Sequence, residues 1–285
     1  MNESQTGMDL NELLNQVTYA DLIVCAAGLF VLIYWLWTTS FGTKSLEDSP
    51  HRRNNMPFYI GLIPVLIWIL TIAIMAEAQN MTFPDLEGWK KAFSDNLMLS
   101  LGGIPAIAAV FFIGKMHFAR GLKGFGLNPK TIGRDLAAAF LNLLGVMPVV
   151  LVIIIGTVLI GKLIVGPQFE MPRHEELKDI MNYPEAPLRV LIIISAVFVV
   201  PFTEEMIFRG MLQTILRSYL GRPWLSIILT SFIFIVFHEN PQHWPALFAL
   251  SICLGYAYEK SGSLFRAFFI HSMFNALSVV SSLTQ

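Results

Sequence analysis

Charge is what this sequence has little of: only 14% of its 285 residues are Asp, Glu, Lys or Arg, whereas 55% are apolar. Soluble domains average about 25% charged residues, so a water-facing globule is a poor fit. Cysteine is scarcer still. Cys25 and Cys253 both lie inside apolar runs and read as small buried residues, which excludes a disulfide framework and a cysteine-based metal centre. The formal net charge of −1 says nothing about partners, and no basic cluster points to nucleic acid. The glycines of "GLKGFGL", 121 to 127, neither follow a strand nor match a phosphate-cradling spacing, and read as a flexible turn facing the inner side. A GxSxG nucleophile elbow is missing. So is HExxH: His174 and Glu175 in "RHEELK" have Lys178 where the second histidine is required.

What the chain does have is long apolar runs. A helix needs about 20 apolar residues to cross the hydrocarbon core, and runs near or above that length cover 22–41, 57–76, 97–114, 136–161, 188–203, 223–237, 244–258 and 263–280. The fold class expected is therefore all-α, a polytopic transmembrane helical bundle of about eight spans in the plasma membrane. Pro148 makes the fourth run a candidate for a kink or tilt. Glu3, Asp9 and Glu12 replace the positive region a signal peptide would need, so the first span is expected to be retained.

Orientation follows from the short loops. One alternating set holds Lys44, Arg52, Arg53, Lys115, Arg120, Lys123, Lys130, Arg134, Arg209, Arg217, Arg222, Lys260 and Arg266, thirteen of the 19 cationic residues. That set is expected inside and both termini outside. Trp224 and Trp244 stand at span starts, where aromatic belts sit.

Polar residues are distributed unevenly along the spans. Between 22 and 161 the span interiors are almost free of ionisable groups, while the last four spans hold Glu204, Glu205, Arg209, His238, Glu239 and His271, with Asn275 beside them. Residues 1–187 thus read as a scaffold of about four spans plus loops, and 188–285 as a polar functional core. No internal repeat is visible, which counts against a transporter built from two halves.

In "PFTEEMIFRG", Pro201 can end or kink the preceding segment, and a helix continues from Thr203. Glu205 and Arg209 are four apart with the acid first, the favoured order for a pair within one helix. Glu204 lies about 100° around the helix and needs a partner from elsewhere. His238 ends the sixth run, and His271 and Asn275 share one face of the eighth. Each could be an interfacial residue or interhelical hydrogen-bond glue. Together, a carboxylate, two histidines and an amide in neighbouring apolar helices make an acid-base and oxyanion-stabilising set.

These residues, in order, resemble the three motifs of the CAAX prenyl protease and bacteriocin-processing family of intramembrane proteases: EExxxR at Glu204, Glu205 and Arg209; FxxxH at Phe234 and His238; HxxxN at His271 and Asn275. The resemblance covers about 188 to 280. It implies an intramembrane endopeptidase that hydrolyses a peptide bond with a Glu-activated water, including CAAX-type C-terminal processing of prenylated proteins. By the same resemblance Glu204 is the general base, His238 helps hold the water, His271 and Asn275 stabilise the oxyanion, and Glu205 with Arg209 supports the helix. The partners implied are a membrane-associated or transmembrane protein substrate and the lipid bilayer. No obligatory metal or other cofactor is favoured; were zinc used, its ligands would be Glu204, His238 and His271. The competing reading is a non-catalytic partner-binding or immunity protein that keeps the polar core as helix glue.

A simple up-down topology would set His238 near the outer face, away from Glu204. Two arrangements resolve this: a long fifth helix over about 188–217 with Glu204 near its midpoint, or a tilted sixth helix with a re-entrant turn at "ENPQHWP".

Overall fold

The computed structural model describes residues 19–50, 52–172 and 175–283. The acidic N-terminal stretch and His174 lie outside them. Among the described residues there is no strand, only an isolated bridge between Asn54 and Phe118. The helices are α1 (Tyr19–Thr38), α2 (Ile63–Thr82, entered through a 3₁₀ turn Phe58–Leu62), α3 (Gly88–His117), α4 (Ile132–Val165), a short α5 (Glu175–Asn182), α6 (Ala186–Leu220), α7 (Pro223–Val236), α8 (Trp244–Ser261) and α9 (Leu264–Leu283). Each of the eight apolar runs falls on one of these helices. Five segments are long and apolar enough to cross a membrane by themselves: Phe58–Thr82, Gly88–His117, Gly121–Val165, Ala186–Leu220 and Leu264–Leu283. Leu22–Thr38 and Pro223–Val236 are shorter apolar helices. Large apolar side chains such as Phe30, Trp37, Phe112 and Leu163 are left exposed on the outside of the bundle, as a lipid solvent requires.

The long fifth helix is the arrangement adopted. At 35 residues α6 spans about 52 Å, well beyond the roughly 30 Å hydrocarbon core, which puts Glu204 near its middle. Pro201 does not end it. A π turn, Ser195–Val199, lies just upstream, and such a widened turn accommodates a ring with no N–H to give. A second π turn covers Met206–Gln213, so Val200–Glu205, which carries both acids, is an α segment held between two π turns.

Two further expectations need correction. The 121–127 turn is not loose: Gly121–Phe125 is a 3₁₀ helix whose Phe125 is fully buried, edge-on to Phe111 and Phe118. Gly126 has φ +74°, and a Cβ there would sit 1.8 Å from the Gly262 carbonyl, so only glycine fits this approach. Both cysteines are free but only partly buried, and Cys253 faces α4, where its Sγ donates to the Asn142 carbonyl at 3.7 Å.

The largest apolar cluster joins Val65 of α2, Ala106 and Val110 of α3 and Leu143 of α4 to Met206, Phe208 and Met211 of α6, Phe234 of α7 and Leu254 of α8. A buried ion cluster adds to it. Glu259 of α8 accepts from Arg217 Nε at 2.9 Å and Arg52 Nη1 at 3.4 Å, and the Arg52 guanidinium lies 3.6 Å over the Tyr258 ring. This ties the loop before α2 to the C-terminal ends of α6 and α8.

Candidate active site

Arg209 anchors the polar centre. Its side chain is fully buried, so it does not snorkel to water. Nη1 donates to Glu205 Oε1 at 2.8 Å, and Nη2 donates to Ser251 Oγ at 2.7 Å and to the Ser251 carbonyl at 3.2 Å. Its Cζ stands 4.7 Å from the Phe234 ring centre, a cation–π contact with a dry face. The local pair read from the four-residue spacing is present, and α8 supplies the rest through Ser251. No spacing signal in the sequence points to that serine.

Glu205 does more than the sequence reading assigned it. The same Oε1 accepts from His271 Nδ1 at 2.9 Å, so one carboxylate oxygen holds a cation on its own helix and an imidazole on α9. A carboxylate is an acceptor only, so Nδ1 is the protonated nitrogen and Nε2 is the one turned outward. That nitrogen faces Glu204 Oε2 at 3.6 Å. Glu204, which needs a partner from another helix, meets His271 because α9 packs against Val200–Glu205 and brings its histidine between the two acids.

His238 comes up beside this group through Phe234. The Phe234 ring lies 4.6 Å from the His238 ring and 6.0 Å from the His271 ring, centre to centre. His238 Nδ1 stands 3.0 Å from the Phe234 carbonyl, to which it must donate, leaving Nε2 as an acceptor in the neutral ring. The turn after α7 is pinned by Trp244 Nε1, which donates to the His238 carbonyl at 2.9 Å. That is a structural duty for a tryptophan expected only as a belt residue. Asn275, one turn along α9 from His271, donates from Nδ2 to the Ala196 carbonyl at 2.8 Å, inside the first π turn.

The set is mostly shielded from water. Glu204 is 9% exposed, His271 4% and Glu205 0%, while His238 and Asn275 are half-buried. Gly103 of α3 forms part of the wall. A Cβ there would lie 2.8 Å from Thr203 Oγ1, so the glycine permits α3 to approach the turn that carries Glu204. Among the described residues, no three His, Cys, Asp or Glu side chains are grouped so as to hold a metal ion, the trio Glu204, His238 and His271 included.

Residues 186–277 match the family model described as type II CAAX prenyl endopeptidase Rce1-like, which supports the resemblance to the CAAX prenyl protease and bacteriocin-processing family carried by the three motifs. Over 120 residues the chain is 24% identical to an uncharacterized 24.3 kDa protein of Escherichia coli, covering 41% of this chain and 55% of the relative. The chain thus spans about half the length of that curated relative. No solved structure matches.

Proposed function

We propose that this integral membrane protein is an endopeptidase that hydrolyses a peptide bond within the bilayer, with Glu204 as general base. The observation that carries the reading is the Glu204 carboxylate opposite His271 Nε2, whose other nitrogen is held by the buried Glu205–Arg209 pair. Such an array combines a base with a positioned proton donor, as hydrolysis requires. A water seated beside Glu204 gives a proton to the carboxylate and hydrogen-bonds to His238 Nε2. The hydroxide oxygen attacks the scissile carbonyl carbon. The resulting oxyanion is met by His271, carrying a proton on Nε2 as well, and by the second N–H of the Asn275 amide. Collapse breaks the C–N bond, and Glu204 returns its proton to the leaving amine. No step is routed through a metal.

In this reading residues 188–285 form the catalytic unit, and the earlier spans brace it and build one wall. The substrate is a membrane-anchored protein cut near a terminus, and a C-terminal prenylated peptide is the first to test. The cell's plasma membrane is the proposed location. A positioned base contributes about 10²- to 10⁴-fold, so Glu204→Gln should lower cleavage of a membrane-anchored peptide in proteoliposomes by about that factor while melting stays near wild type. A folded Glu204→Gln protein cleaving at the wild-type rate would sink the proposal.

A further inference from the structure

Both acids and His271 are buried, yet hydrolysis consumes water, and the two directions along α6 differ in what they offer. Toward the inner side every residue from Glu205 to Arg217 is buried, with Phe125 and Tyr258 packed against them. Toward the 166–185 loop a polar line runs instead. It begins in a cleft of about 440 Å³ walled by Lys91, Asp95, Asn96, Asp179 and Tyr183. Asn96 is 5% exposed, and its Nδ2 donates to the Ala92 carbonyl at 2.9 Å and to Asp179 Oδ2 at 3.4 Å. Its Oδ1 is buried with no hydrogen-bond partner. One turn deeper, Ser100 Oγ donates to the Asn96 carbonyl at 2.8 Å and is hydrogen-bonded to Ser195 Oγ across the α3–α6 contact. Ala196 follows, its carbonyl taken by Asn275, one turn from His271.

Hydroxyls and amides at this depth are costly unless they are satisfied, and a buried polar atom without a protein partner is the ordinary place for an ordered water. Building on the endopeptidase reading, we propose that the α3–α6 seam is a water-binding path that feeds the site from the side of the 166–185 loop, with Asn96, Ser100 and Ser195 as its holding groups. The unpartnered Asn96 oxygen marks the entrance. The serine pair is the relay, since each hydroxyl can donate or accept and so pass a water from one helix to the other. The π turn at Ser195–Val199 widens α6 where the path meets Asn275.

The full chain is tested in sealed, oriented vesicles, with Ser195→Cys introduced beside Cys25→Ala and Cys253→Ala, and with Ag⁺ as a water-sized thiol probe. Titration of the introduced thiol is expected at least about tenfold faster from the 166–185 side than from the other; equal or reversed rates, or no reaction, overturn the path. Met211→Cys, on the packed inner stretch, should stay unreactive from both sides. Reaction there as fast as in the Ser195→Cys protein would mean that water is not confined to the seam, and overturns it equally. In cleavage assays Ser195→Ala should reduce kcat about tenfold with KM unchanged, one hydrogen bond's worth, and Ser195→Thr should recover it. Wild-type kcat in Ser195→Ala overturns the holding role. If the wild-type protein cleaves nothing, the endopeptidase reading fails, while the Ag⁺ result still decides the path.

Discussion

Glu205 is where removing one charge should separate stability from chemistry. Glu205→Gln keeps the shape and leaves an amide oxygen to accept from Arg209 Nη1 and His271 Nδ1, now at 2.8 and 2.9 Å. What it removes is the negative charge opposite a guanidinium with no exposure at all. The partners left to Arg209 are the Ser251 hydroxyl and carbonyl and the Phe234 face, all neutral. Breaking a buried pair from one side typically costs about 3–5 kcal/mol, a large share of the roughly 5–15 kcal/mol that a folded domain has. At about 2–4 °C per kcal/mol, the melting midpoint should fall by about 6–20 °C. Glu205→Gln/Arg209→Met removes the buried charge altogether, and a hydrophobic replacement of a buried pair is often neutral, so most of that loss should return. Cleavage should not return, because His271 Nδ1 then no longer faces a carboxylate. Thermal melts of the purified protein and cleavage of a membrane-anchored peptide in proteoliposomes measure the two effects. A midpoint for Glu205→Gln within about 2 °C of wild type would refute the stability argument. Recovery of activity together with stability in the double variant would refute the positioning of His271.

Three other outcomes are expected. Gly126→Ala should lower the yield of folded protein sharply, since its Cβ would fall 1.8 Å from the Gly262 carbonyl at φ +74°, and an unchanged melting curve would show that the 121–127 turn relaxes freely. Cleavage activity should survive prolonged chelation; complete loss restored by zinc alone would turn Glu204, His238 and His271 from acid-base groups into ligands. The exposed Lys123, changed to cysteine, should be protected from an impermeant thiol reagent in intact cells, and labelling there would reverse the orientation drawn from the loop cations.

Local chemistry explains what could be read without coordinates. Run lengths placed the apolar helices, because a helix that crosses lipid must satisfy its own backbone and show apolar side chains for its whole length. The pairing of Glu205 with Arg209 was legible too, since four residues bring two side chains together on any helix. Tertiary structure decided the rest. His271 sits between Glu204 and Glu205 only because α9 packs on one particular segment of α6, and helix packing depends on side-chain shape at positions far apart in the chain. The same holds for Ser251 on Arg209, for Glu259 with Arg52 and Arg217, and for the Ser100–Ser195 contact, each of which joins separate helices or loops. Pro201 shows the limit from the other side. In sequence it signals a break, but the π turn upstream absorbs it, so α6 passes unbroken through the site with both acids near the middle of its length.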